Sequence, residues 1–189
     1  MRNKKGKASN EQEAETLPDS SYIEEGDRLV DQGDFDGAIA LYTEAISAEP
    51  ADGFIYQLRG DAYLKKRDLG SAIADYTKAL SLLEDNEDRA LAYMYRAIAY
   101  KGKSDWHNVM ADANAVIKTG YFSAMAYLAR GSAYVMLGPM GQGFEDWKTA
   151  ADHGSKSALA ELEKYGITFT PLKKKAADED GSATGDKKE

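Results

Sequence analysis

The chain has 189 residues and a formal net charge of −8, enough for one or two domains with a buried core. It contains no cysteine, which excludes disulfides, thiolate metal sites and thiol nucleophiles. The acid excess lies in the interior, because residues 1–20 hold four basic and four acidic side chains and residues 166–189 five of each. A field of that sign repels phosphate backbones and anionic headgroups, so neither nucleic acid nor a membrane is an expected partner.

The first stretch, MRNKKGKASNEQEAETLPDS, has basic residues without an apolar run after them, so it does not read as a secretory signal. No segment approaches the roughly 18 apolar residues of a membrane span. A cytoplasmic address is the expectation. Residues 1–18 and 166–189 read as disordered tails, and the run Lys173-Lys174-Lys175 beside Asp178, Glu179 and Asp180 as a solvated part of the second.

Between the tails, apolar residues recur at intervals of three and four, as in Ile39, Tyr42 and Ile46, or Ile73, Tyr76 and Leu80, which is the helical period. This spacing predicts helices at 19–32, 36–48, 53–66, 70–83, 88–102, 105–118, 122–137, 140–152 and 155–165. The four prolines, Pro18, Pro50, Pro139 and Pro171, all fall at or beyond helix ends. Gly33 is placed to take a left-handed conformation, and Asp34 to cap the following helix. Asp68 and Asp105 recur at the capping place and Pro139 replaces them in the last pair, where its preset φ suits a helix start.

The stretch GDRLVDQGDFDGAIALYTEAI, residues 26–46, agrees with GDAYLKKRDLGSAIADYTKAL, residues 60–80, at nine of 21 positions. Chance would give about one or two, so the two are copies of one unit repeated every 34 residues. Gly26, Gly60 and Gly131 occupy matching places inside helices, where glycine costs about 1 kcal/mol relative to alanine. Close helix approach is the expected reason: Ala38 and Ala72 would face the glycines, with Tyr42 and Tyr76 filling the space beside them. Trp106, level with Phe35, Leu69 and Met140, reads as a packing residue, and Trp147, level with Tyr42 and Tyr76, as core.

The set Tyr22, Gly26, Leu29, Ala38, Tyr42, Ala45 and Pro50 resembles the signature of the tetratricopeptide repeat, a helix-turn-helix unit of 34 residues. Tyr56, Gly60, Tyr63, Ala72, Tyr76 and Ala79 restate it, with Glu84 in place of the family's proline. The third copy keeps Tyr93, Ala97 and Tyr100 after a three-residue insertion, but has Val109 and Ala113 in its second helix. The fourth keeps Tyr127, Gly131, Tyr134, Trp147 and Ala150, with Gly143 for alanine. The resemblance implies an all-α, right-handed solenoid with repeats at about 19–52, 53–86, 90–123 and 124–154, followed by a capping helix at 155–165.

The resemblance also implies a binding groove lined by the first helix of each pair. The family's groove positions fall on Ile23, Asp27 and Val30, then Phe54, Gln57, Asp61 and Leu64. The later pairs give Leu91, Met94, Ile98 and Lys101, then Met125, Leu128, Ser132 and Val135. This is an apolar lining with two carboxylates at one end, and methionine suits irregular apolar partners. The expected ligand is a protein or peptide segment with apolar anchors and a basic residue near Asp27 or Asp61. The competing readings are a homo-oligomeric scaffold built through the same face, a groove filled by the chain's own tail, and a secretion-type chaperone for an apolar segment.

Relatives that grip the acidic tails of heat-shock chaperones clamp a carboxylate with Lys, Asn and Arg. Here those places hold Ile23, Asp27, Leu58, Leu91 and Tyr95, or one repeat later Gln57, Asp61, Tyr95, Met125 and Ala129. No such clamp is expected, because two aspartates repel such a tail. Nor is an enzyme expected, or a metal or cofactor. His107 and His153 are the only histidines and have no paired nucleophile. LGPMGQG, residues 137–143, lacks the lysine and the preceding strand of a phosphate loop.

Overall fold

A computed structural model of the chain describes residues 21–172. Among these the elements are α1 (Ser21–Asp31), α2 (Phe35–Ala48), α3 (Gly53–Lys66), α4 (Leu69–Leu82), α5 (Asn86–Gly102), α6 (Trp106–Thr119), α7 (Ser123–Leu137), α8 (Met140–Asp152) and α9 (Lys156–Lys164). Each helix packs on the next in chain order, and α3–α5 and α5–α7 also touch. The fold is therefore an all-α solenoid of helical hairpins, with odd-numbered helices meeting along one side. The expected tails at 1–18 and beyond 172 lie outside the described residues.

The turns follow from local chemistry. Asp34, Asp68 and Asp105 each accept an N–H from the first turn of the helix they precede, those of Gly37, Ser71 and Asn108, as the spacing predicts. Pro139 opens α8 with no side-chain cap. The residue before each aspartate is left-handed: Gly33 at φ 77°, Arg67 at 71° and Ser104 at 57°. This conformation lets the following N–H groups reach back to the preceding helix, Asp34 to the Leu29 carbonyl, Asp68 to Tyr63 and Asp105 to Tyr100. The repeat thus keeps its turn even where glycine has been replaced.

Aromatic rings lie against the helical glycines, as expected for Tyr42 and Tyr76. A Cβ built on Gly26 would lie 2.2 Å from the Tyr42 hydroxyl oxygen, and one on Gly60 would lie 3.0 Å from Tyr76 Cε1. In the fourth pair two glycine backbones meet. There a Cβ on Gly143 would sit 2.7 Å from the Gly131 carbonyl oxygen, while one on Gly131 would also strike Trp147. In the third pair the size exchange runs the other way, with Ala97 for glycine and Ala113 for the ring, both buried. Trp147 is core as expected, whereas Trp106 is only half-buried and Met140 exposed.

The core is a series of patches, one per junction, with Tyr22, Ala38, Tyr42 and Ile55 at the first and Trp147, Ala150, Ala158 and Leu162 at the last. Such a stack derives its stability from hairpins and nearest-neighbour interfaces. At the C-terminal end the order extends beyond the expected cap. Residues 166–172, read from the sequence as the start of a disordered tail, turn back from α9 at Gly166, φ 72°. They place Ile167 and Phe169 on the last patch. The Leu172 N–H then donates to Asp152 Oδ1 at 2.7 Å, which closes the end of the stack.

Candidate functional site

Two regions of the side formed by the odd-numbered helices carry the chemistry. The first is apolar. Between α5 and α7 a cleft of about 150 Å³ is lined by Met94, Ile98, Lys101, Met125, Leu128 and Ser132 among others. Ile98 and Met125 are 41% and 51% exposed, whereas Met94, at 5%, forms the buried floor. Together with the apolar floor these two open side chains make one contiguous apolar patch, the kind of surface that marks a binding groove.

The second region is acidic and lies between α1 and α5. Asp61 accepts the Tyr76 hydroxyl proton at 2.6 Å. Burial pushes its carboxyl up to about 6; the Tyr76 bond and Lys65 oppose that rise and Asp27 adds to it. Burial, with Asp27 and Asp61 next, pushes the Tyr42 phenol up to about 12. Tyr95 is raised in the same sense by burial and then Asp61, and its ring stacks on Tyr76 at 6.1 Å. One turn before Asp61, the Gln57 side chain is 3% exposed and its Oε1 has no hydrogen-bond partner among the described residues.

The residues singled out from the sequence therefore divide. Met94, Ile98, Met125 and Leu128 share the cleft, and Asp27 acts on Asp61. Phe54, near the start of α3, is exposed, and Ile23, Leu64 and Leu91 are half-buried, the first two against core patches. Gln57 and Met94 are buried, so neither offers the open side chain the repeat position implied. Lysine or arginine does not stand at the clamp positions, and among the described residues no group of three or more His, Asp or Glu is placed to hold a metal. His153 lies with its ring flat against Tyr127, 5.9 Å between centroids.

Sequence reasoning missed a ladder of ion pairs. Arg59, Arg96 and Arg130 each grip an aspartate sixteen residues on, Asp75, Asp112 and Asp146, through Nε and Nη2 at 2.7–2.9 Å. The remaining Nη1 donates to the previous hairpin, to Thr43, Thr77 and Asn114 respectively. Tyrosine rings flank the guanidinium groups, Tyr56 and Tyr63, then Tyr93 and Tyr100, then Tyr127. The constant offset of sixteen was the available signal. In the first hairpin Glu25 and Leu41 fall at these places, and Glu25 pairs instead with Arg28.

A family model described as tetratricopeptide repeat matches residues 23–87. Residues 23–87 are thus tetratricopeptide repeats. Among solved structures the chain is similar to MamA at a TM-score of 0.63 and 23% identity, over 75% of this chain and 85% of that one. It is also similar to the first tetratricopeptide-repeat domain of Spaghetti (RPAP3), solved with the HSP90 peptide SRMEEVD, at a TM-score of 0.55 and 21% identity, over 61% and 90%. At these identities the likeness is one of fold. No curated protein matches the chain. Among the described residues no helix is long and apolar enough to cross a membrane.

Proposed function

We propose that this tetratricopeptide-repeat protein is a non-catalytic interaction scaffold that seats an apolar segment of a partner polypeptide in the cleft between α5 and α7. The observation that carries the reading is the pair Ile98 and Met125, left open above a preformed apolar floor. The scaffold is already ordered, so binding costs little beyond ordering the peptide. Lys101 at the cleft rim and the distant carboxylates Asp27 and Asp61 give the face a polarity along its length. An acidic peptide such as the SRMEEVD bound by the Spaghetti domain would meet Asp27 and Asp61 rather than a basic clamp, so that class of partner is disfavoured.

Selection from a random peptide library, with the intact chain and with an Ile98→Ser/Met125→Ser variant, tests the reading. Each truncation removes an apolar contact of about 1 kcal/mol, so peptides with apolar anchors should lose about tenfold or more in affinity. Helical content should stay unchanged, because both side chains are exposed. Equal enrichment of the same peptides by both proteins would reject the cleft. Met94→Glu is no substitute, since a charge on the buried floor would report on folding.

A further inference from the structure

We infer that the cleft between α5 and α7 is a ring slot emptied by the third repeat, and that its occupant is a phenylalanine side chain of a partner polypeptide with a carboxylate beside it. The inference rests on the peptide-scaffold reading and names the anchor which that reading leaves open.

At the junction before the cleft, two rings fill the matching space. Tyr76 lies against Gly60, its Cε1 3.0 Å from where a Cβ would stand. It donates its hydroxyl proton to Asp61 and stacks on Tyr95 of the next hairpin at 6.1 Å. One repeat onward is 34 residues, or 37 where the three-residue insertion intervenes, and carries Tyr76, Gly60, Asp61 and Tyr95 to Ala113, Ala97, Ile98 and Ala129. Both rings have become alanines. The three places that meet the Tyr76 ring, here Ala97, Ile98 and Ala129, all line the cleft. Val109, where the other pairs have alanine or glycine, takes back part of the space, and the cleft is what remains.

The size and chemistry of that remainder select the occupant. A cavity of about 150 Å³ holds one benzene ring, and the cleft has that volume. Met94 and Met125 line it, and a thioether sulfur gains more from an aromatic ring than from an aliphatic chain. A phenol fits less well. The acceptor that Asp61 gives Tyr76 is replaced by Ile98, and a hydroxyl carried in from outside would meet the apolar Ala97 and Val109 without a hydrogen bond. Lys101 is the one charged residue of the lining, is exposed, and has no acid paired with it among the described residues, so it suits a single carboxylate next to the ring. Residues 1–20 and 173–189 contain no aromatic residue, so neither tail supplies the ring.

The test uses the full chain, N-acetyl-phenylalanine as the probe, whose carboxylate stands next to its ring, and methionine methyl NMR signals as readout. A ring seated in the slot should move the Met94 and Met125 signals upfield and saturably, with a dissociation constant on the order of millimolar. N-acetyl-leucine should bind about fivefold more weakly, N-acetyl-tyrosine about tenfold more weakly and N-acetyl-phenylalanine amide about threefold more weakly. Ala129→Tyr, which puts at this half-buried place the residue type of Tyr95, should abolish the shifts at unchanged helical content. Signals unmoved by N-acetyl-phenylalanine, or shifts that survive Ala129→Tyr, would overturn the slot. Equal binding of the amide would overturn the carboxylate. Shifts that grow with protein concentration alone and vanish in Phe54→Ser would give the slot to a second copy of the chain and overturn the foreign partner. N-acetyl-leucine binding as tightly as N-acetyl-phenylalanine, or library peptides that depend on Ile98 and Met125 yet carry aliphatic anchors, would overturn the ring while leaving the scaffold reading intact, so the two failures are told apart.

Discussion

Replacing Asp61 with Asn removes a charge from a place where burial opposes it. Desolvation lifts this carboxyl from 3.8 to about 6, with Asp27 adding to the rise and Tyr76 and Lys65 opposing it. A group that titrates higher in the folded chain than in the unfolded one holds more protons when folded across the gap. Its contribution is therefore fully present below about pH 4 and is lost as pH rises through about 6. Each pKa unit corresponds to about 1.4 kcal/mol, so the rise amounts to about 3 kcal/mol of stability lost at neutral pH. Asn still accepts the Tyr76 proton, and the value of about 6 already includes what that bond adds to the ionised form. Partial exposure of Asp61 trims the figure, which leaves Asp61→Asn about 1–2 kcal/mol more stable than the natural chain at neutral pH and about equal to it near pH 4. Urea unfolding followed by circular dichroism at several pH values measures the difference between the two proteins, in which every other titrating group cancels. A variant less stable than the natural chain near pH 7, or a difference that does not change between about pH 4 and 7, would refute the reasoning.

The ladder makes the opposite expectation for a different aspartate. Asp112→Ala strands Arg96, whose side chain is only 15% exposed, and should cost about 3 kcal/mol in urea unfolding. Arg96→Leu combined with Asp112→Leu should recover much of that loss, since an apolar pair leaves no unpaired charge. At the second turn, Arg67→Gly relieves a left-handed residue at φ 71° of about 1 kcal/mol of steric cost. Glycine's extra freedom in the unfolded chain offsets about half of it, so a rise in thermal midpoint of about 1–2 °C is expected.

The solenoid was legible because its determinants are local. The helical period, the Gly33–Asp34 turn and its copies at Asp68 and Asp105, and the 34-residue offset all lie within one hairpin, and the helix bounds follow to within two residues. What lay between hairpins was less so. The glycine at position 26 announces a close approach, but how near the Tyr42 ring comes to it depends on that ring's rotamer, which spacing does not state. Met94 and Ile98 are one turn apart on the same helix and both apolar, yet one is 5% exposed and the other 41%, because the depth of α5 between α6 and α7 is set by packing. Order in residues 166–172 depends likewise on the patch around Trp147 and Leu162 that Ile167 and Phe169 cover. Aspartate shows the limit most plainly. Asp68 caps a helix, Asp75 is held by Arg59, and Asp61, seven residues before Asp68, accepts a phenol. The three are one residue type within fifteen positions, and only the groups that fold against each decide whether its carboxylate starts a helix, grips a guanidinium or accepts a buried phenol.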